Sequence, residues 1–383
     1  MEINKMVYLD NSATSFPKPP CVLEAIGGYL KHTGASAGRA GYKSALKTAR
    51  MVFSCREKLA RLFNIKDSSR VVFTSGATES LNTAIFGILE EGDEVVTTTM
   101  EHNSVMRPLR YLEKTESIKI KFLKMDKYGA LEEREIKEKI TEKTKMLVVN
   151  HVSNITGSIV PLEYFRDVKK NAVLLVDVAQ SAGIYPLDVE KYSIDLLAFT
   201  GHKGLMGVTG TGGLYVRENI PIKPLKFGGT GSISEKEEQP DFFPDRMESG
   251  TLNTTGIAGL NSSLDFILNK GIENILSHER KLSEYFMEKI NTVDDIILYG
   301  PQETEKRLAV FSINIKDRDP AETGFILDRT YDICVRVGLH CSPSAHKTTG
   351  TYPKGTIRIS FGYFNSFDDI DFLVASLKEI IKT

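Results

Sequence analysis

Cysteine is scarce in this chain: Cys21, Cys55, Cys334 and Cys341 are the four among 383 residues. Their spacing offers no C-x-x-C pair and no Cys/His zinc pattern, which excludes a disulfide framework or zinc site legible in sequence. So few thiols in so long a chain predict a reducing, cytoplasmic setting, where a special cysteine is a reactive one. No apolar run approaches the roughly 20 residues that span a bilayer. Residues 1–8 lack the apolar core and cleavage pattern of a secretory leader. An excess of one charge is missing too. The 49 basic and 50 acidic side chains give a net charge of −1, so electrostatics offers no case for nucleic acid or an anionic membrane as partner. There is no Walker A sequence, dinucleotide fingerprint, internal repeat or low-complexity tract.

What is present is the 41% hydrophobic content of an ordinary globular enzyme, in a chain long enough for a large domain and a smaller one. Apolar strands are expected at 71–73, 94–98, 118–123, 146–150, 173–177 and 194–199, alternating with helices that include 132–140 and 162–169. Continuous apolar strands in such alternation predict a mainly parallel sheet covered by helices on both faces. Residues 226–247 are polar and rich in Gly and Pro, and read as an excursion. A helical stretch from 253 to 291 breaks near Gly271. The tail mixes strands near 308–315, 333–337 and 356–360 with helices near 325–327 and 370–381, a smaller α+β domain. The N-terminal residues lack a core of their own and are expected to lie against a neighbouring domain. The small-residue loop 33–41, with Arg39, can pass close to a ligand or serve as a plain connector. Cys55 reads as a small helix residue, and strand alternation places Cys334 in the core.

The chemistry gathers around Thr200-Gly201-His202-Lys203, between an apolar strand and a glycine-dense turn. A lysine there can hold a carbonyl cofactor as a Schiff base while Thr200 and His202 reach a phosphate. Pyridoxal 5′-phosphate asks for that arrangement, plus an acid facing its ring nitrogen. Other strand ends supply further parts, at the edge where α/β sheets bind ligands. Ser75-Gly76-Ala77-Thr78 can hold a phosphate at a helix N-terminus, or be an ordinary helix start. His102 can stack on a pyridine ring, or be a solvated loop histidine. Asp177, with Gln180 after it, ends a very apolar strand; it needs a cationic partner such as a protonated pyridine nitrogen, unless it caps a helix.

These motifs together are more specific than any one of them. The chain resembles the class V aminotransferase group of fold-type I pyridoxal 5′-phosphate enzymes, and within it the cysteine desulfurases and selenocysteine lyases. The likeness runs from Tyr8-Leu9-Asp10-Asn11-Ser12-Ala13 to Arg358. It includes Glu101-His102-Asn103, Ser153-Asn154-Ile155-Thr156-Gly157, Asp177-Val178-Ala179-Gln180 and Gly250-Thr251-Leu252-Asn253-Thr254. It implies the α/β PLP-dependent transferase fold type I. A large domain at 16–265 would hold a mainly parallel seven-stranded sheet, and 1–15 with 266–383 would form a small α+β domain. The resemblance also implies roles. Lys203 carries the cofactor, Asp177 pairs with the ring nitrogen, Gln180 reaches the ring hydroxyl, and His102 stacks on the ring and moves protons. Ala77, Thr78, Thr200 and His202 surround the phosphate, with Thr251 reaching in from a second subunit of a homodimer. Asn154 and Arg358 hold the substrate carboxylate, for which a planar guanidinium is suited.

Arg336-Val337-Gly338-Leu339-His340-Cys341 follows a strand and opens what reads as a mobile loop reaching to Arg358. The resemblance makes Cys341 the nucleophile that takes sulfur from L-cysteine as a persulfide. Arg336 and His340 can favour its thiolate electrostatically. The short segment between Cys341 and Arg358 resembles the SufS-like branch, whose members often use a dedicated sulfur-acceptor protein. L-selenocysteine as substrate, or an aminotransferase without a reacting thiol, are the competing readings.

Overall fold

The run Val173-Leu174-Leu175-Val176-Asp177 is apolar at every position but the last, and all five residues are buried. A strand apolar on both faces is stable only between two layers of helices. That is how the structure, a computed structural model describing residues 6–37 and 41–382, uses it. Residues 1–5 of the N-terminal segment, 38–40 with Arg39 of the small-residue loop, and 383 lie outside the described residues.

In chain order the first elements are β1 (Val7–Tyr8), α1 (Pro20–His32), α2 (Lys43–Phe63), β2 (Val71–Thr74), α3 (Ala77–Ile88), β3 (Glu94–Thr98), α4 (Asn103–Thr115) and β4 (Lys119–Leu123). There follow α5 (Glu133–Lys139), β5 (Thr144–Asn150), α6 (Glu163–Arg166), β6 (Val173–Asp177), β7 (Leu196–Thr200), β8 (Gly212–Val216), α7 (Thr254–Lys270) and α8 (Ile272–Ile290). The rest are β9 (Ile296–Tyr299), β10 (Val310–Ile315), α9 (Pro320–Tyr331), β11 (Ile333–Cys334), β12 (Arg336–Gly338), α10 (Pro343–Thr349), β13 (Thr356–Ser360) and α11 (Phe367–Ile381).

The seven-stranded sheet has the order β2-β8-β7-β6-β5-β3-β4. Only β8 runs antiparallel to its neighbours, so the sheet is mainly parallel. Its two faces separate by residue parity. Leu174 and Val176 pack with Leu59 and Phe63 of α2 and Leu260 and Leu264 of α7. Val173 and Leu175 pack with Leu81 and Ile85 of α3 and Val105 and Leu109 of α4. A four-stranded antiparallel sheet, β12-β13-β10-β9, has its own core around Phe286, Phe311, Phe361 and Leu373. Val7 and Leu9 belong to that second core, and β1 pairs in parallel with β11.

Two C-terminal elements and one helix of the large sheet's layers differ from expectation. The strand expected at 333–337 is two strands: Cys334 pairs with Tyr8 in a two-stranded sheet, and Arg336 pairs with Arg358 in the four-stranded one. A two-stranded pair cannot cover both of its faces, so Cys334 is only half-buried rather than core. The segment expected as a loop after Cys341 contains α10, with Pro343 in its first turn, where a missing N–H costs nothing. The helix expected at 162–169 shortens to α6.

Candidate active site

Six strands of the large sheet end on the same side, and residues at or just after the ends of five of them, β2, β3, β5, β6 and β7, build a cleft. After β2 the chain turns at Ser75-Gly76 into α3. Gly76, the N-cap, offers no side-chain acceptor, so the leading N–H groups of a 12-residue helix are open to a ligand. Gly212 of β8 packs on this turn; a Cβ there would lie 2.5 Å from Gly76 Cα, so only glycine lets the two backbones meet. Ser75 N–H and Oγ donate to Glu79 Oε2 at 2.8 and 2.6 Å, and Lys226 holds Glu79 Oε1 at 2.5 Å. The Thr78 and Ser104 hydroxyls are 2.8 Å apart.

After β3 comes His102, which caps α4: its Nδ1 accepts from Ser104 N–H at 3.1 Å. An accepting Nδ1 leaves the proton of the neutral ring on Nε2. Burial, then the charges of Lys203 and Arg358, hold the His102 pKa down to about 4, in keeping with a neutral ring. Glu101 is fully buried, and burial pushes its carboxyl up to about 8. Its Oε1 accepts from Thr98 Oγ1 at 2.7 Å and Asn150 N–H at 3.1 Å, which ties the end of β3 to the end of β5.

Asp177 ends β6 in register with Asn150 of β5 and Ala198 of β7. It is buried, its Oδ1 accepts from Ala179 N–H at 2.9 Å, and burial raises its pKa while that bond and Lys203 lower it. A buried acid so placed is short of a cation. Gln180 Nε2 donates to Ser12 carbonyl at 3.2 Å. Thr200 ends β7 and is buried. His202, held low at about 4 first by burial and then by Lys203 and Lys18, keeps a buried Nδ1 without a partner. Its carbonyl takes the Lys18 ammonium at 2.7 Å. Burial, reinforced by Arg358 and opposed by Asp177, lowers the Lys203 ammonium from 10.5 to about 8. In the cofactor-free chain, reductive alkylation of Lys203 should therefore follow a midpoint near pH 8. A midpoint above 10, the ordinary lysine range, would show an amine open to water.

The cleft these ends enclose is about 240 Å³. Its walls bring together Ala77, Thr78, His102, Asn154, Asp177, Gln180, Thr200, His202 and Lys203. Thr251 is exposed and lines a different, larger groove of about 690 Å³ with Phe53 and Glu248. Arg358 and Cys341 do not line the cleft wall but reach it through neighbours. Arg358 is buried on β13; its Nη2 pairs with Asp10 at 2.7 Å, its Nη1 donates to the Asn154 carbonyl at 3.2 Å, and its Nε has no partner. Cys341 is exposed, and its carbonyl accepts from Asn103 N–H at 2.8 Å, one residue past His102.

His340 does not play the part its position suggests. It is buried, its Nε2 lies 3.1 Å from the Thr356 carbonyl, and burial followed by the Arg358 charge pushes its pKa down to about 2. A neutral ring contributes no charge to a neighbouring thiolate. Sequence reasoning also assigned no role to Asp10, the partner of Arg358, or to Ser104, which joins Thr78 to His102. Ser104 could have been read from its place in the first turn after Glu101-His102-Asn103; the pairing of Asp10 with Arg358, 348 positions away, has no local signal.

The model of the aminotransferase class-V family matches residues 7–373. A probable cysteine desulfurase of Methanothermobacter thermautotrophicus is 34% identical over 98% of this chain and 94% of its own. The apo structure of a cysteine desulfurase from Thermococcus onnurineus superposes with a TM-score of 0.93 at 32% identity, covering 99% of this chain and 95% of that one. The cysteine desulfurase CsdA (S-sulfonic acid) from Escherichia coli gives 0.87 at 26% identity, over 98% and 95% of the two chains.

Proposed function

We propose, from the premise that this chain belongs to the aminotransferase class-V family, that it is a pyridoxal 5′-phosphate-dependent cysteine desulfurase that passes the sulfur of L-cysteine to Cys341. The observation that carries this reading is the meeting of an uncapped helix N-terminus, a buried unpaired acid and a low-pKa lysine in one cleft, with an exposed thiol beside it. The residues present fit the cofactor. The first N–H groups of α3, with Thr78, Thr200 and the unpartnered Nδ1 of His202, offer donors to a phosphate. Asp177 offers the buried anion that a pyridinium needs, Gln180 an amide for the ring hydroxyl, and His102 a flat neutral ring.

When bound, the cofactor supplies an electron sink that lets bonds at the substrate's α- and β-carbons break heterolytically. Lys203 Nζ, lowered to about 8, would hold the cofactor and, once displaced by substrate, would be the base for the α-proton near neutral pH. The unspent Nε–H of Arg358 and the second amide N–H of Asn154 are free to orient the substrate carboxylate. Cys341 Sγ, as thiolate, attacks the substrate sulfur. A sulfur–sulfur bond forms, the Cβ–S bond breaks with its electron pair left on carbon, and protonation of that carbon gives alanine. The balance is L-cysteine plus thiol to L-alanine plus persulfide. Two equivalents of an external thiol, or a sulfur-acceptor protein, then clear the sulfur.

The groove that carries Thr251 also exposes Phe53, at 60% of its surface, which favours a second copy of the chain there. Few and unpaired cysteines favour a reducing, cytoplasmic compartment. Among the described residues, no helix is long and apolar enough to cross a membrane.

The test is product analysis of the cofactor-loaded protein with L-cysteine and L-selenocysteine in parallel, with a thiol reductant. Equimolar alanine and sulfide from L-cysteine is expected, from a species that light scattering shows to be a dimer. Release from L-selenocysteine alone would reassign the substrate, and amino-group exchange with a 2-oxo acid without sulfide would reassign the reaction.

A further inference from the structure

Leu339 to Ser342 form a tight turn closed by Ser342 N–H donating to the Leu339 carbonyl at 2.9 Å. Its two central residues are His340 and Cys341, with φ of 48° and 60°. Positive φ at both central positions is the type I′ turn, which favours Asn-Gly because other side chains crowd the backbone there. A histidine followed by a cysteine is a poor choice for such a turn, so something outside it must hold the shape.

Two bonds from the ends of the large-sheet strands do so. Asn103 N–H takes the Cys341 carbonyl at 2.8 Å, and Asn154 Nδ2 takes the His340 carbonyl at 2.8 Å. The other end of the same amide, Asn154 Oδ1, accepts from Ser342 Oγ at 2.8 Å. Serine is a favoured helix N-cap, yet Ser342, at the N-cap of α10, makes no cap bond and spends its hydroxyl on Asn154. One buried side chain thus grips the turn on both sides of Cys341, while its remaining N–H stays free at the cleft wall.

We propose that Asn154 is the positioning residue that sets Cys341, its amide clamping the Leu339–Ser342 turn in the left-handed shape that presents the thiol. This rests on the reading of Cys341 as the sulfur-accepting nucleophile. It goes beyond a carboxylate-binding role, because the two engaged atoms of the amide bond the residues on either side of the nucleophile, the His340 carbonyl and the Ser342 hydroxyl, and not a ligand.

The test uses the cofactor-loaded protein and its Asn154→Ala, Ser342→Ala and double variants. The rate of Cys341 persulfide formation is measured in single turnovers across L-cysteine concentrations, with alkylation of Cys341 by iodoacetamide in the absence of substrate. Misplacing a reacting atom by about 1 Å can cost on the order of a hundredfold. The expected loss in Asn154→Ala, at saturating L-cysteine, is about ten- to a hundredfold. Ser342→Ala should lose several-fold without a change in half-saturating L-cysteine, and the double variant should be no slower than Asn154→Ala, since both act through one clamp. Alkylation should not slow, because the thiol stays accessible when the turn loosens. A rise in half-saturating concentration alone, with the saturated rate intact, would confine Asn154 to substrate binding and overturn the inference. Multiplying losses in the double variant would overturn it as well. Should Asn154→Ala fail to fold, Ser342→Ala decides: a saturated rate equal to wild type rejects the clamp. If the unaltered protein puts no sulfur on Cys341, the functional reading fails; if it does so and the variants match it, only the clamp fails.

Discussion

Replacing Cys341 with alanine should abolish persulfide formation and lower sulfide release from L-cysteine by at least about a hundredfold, while the visible absorbance of the bound cofactor stays. The two halves of that expectation come from different parts of the structure. The residues proposed to hold the cofactor line the cleft at the ends of β2, β3, β6 and β7 and the turns after them. Cys341 stands apart, on the turn after β12, and touches this machinery through backbone bonds to Asn103 and side-chain bonds of Asn154 to its neighbours. Its own side chain is exposed, so its loss leaves no cavity and no orphaned buried group. Sulfur transfer should therefore be lost without the loss of fold or cofactor. Undiminished sulfide release from the variant would return the chain to chemistry that needs no loop thiol.

The second large effect is at Lys203. Lys203→Ala should reduce turnover of L-cysteine by about a thousandfold or more, within the range that general-base catalysis alone supplies plus the loss of the covalent anchor. Burial and the nearby guanidinium of Arg358 depress this amine, and Asp177 only partly restores it. The Lys203 amine is thus substantially deprotonated near pH 8. Lys203→Arg keeps the charge but not a deprotonatable amine, and should be as inactive as alanine. Both variants should lose the absorbance of the lysine-bound cofactor, in contrast to Cys341→Ala. A Lys203→Arg variant with more than a tenth of the activity would show that another group moves the α-proton.

How far this was legible in the sequence depends on distance along the chain. The strands that build the cleft are apolar on both faces and end in Thr, Asn or Asp. Val173–Asp177 and Leu196–Thr200 announce both the parallel sheet and the residues at its functional edge. Nine of the expected site residues come together because each lies within a few positions of such a strand end. Long-range pairings were not legible. Asp10 meets Arg358 only because β1 and β13 converge on the second core, and nothing near either residue signals the other. His340 illustrates a different limit. Sequence places an ionisable ring beside Cys341, but burial decides whether it can carry charge, and here it stays neutral. The loop expected to be mobile became a pinned turn and a short helix for a related reason. The bonds that hold it come from Asn103 and Asn154, residues far away in sequence.

The most direct measurement is the mass of the peptide carrying Cys341 after the cofactor-loaded protein meets one equivalent of L-cysteine with no reductant. One added sulfur atom is expected on that peptide, in step with one equivalent of L-alanine. Alanine formed with the Cys341 peptide unchanged, or sulfur found on Cys21, Cys55 or Cys334 instead, would contradict that expectation.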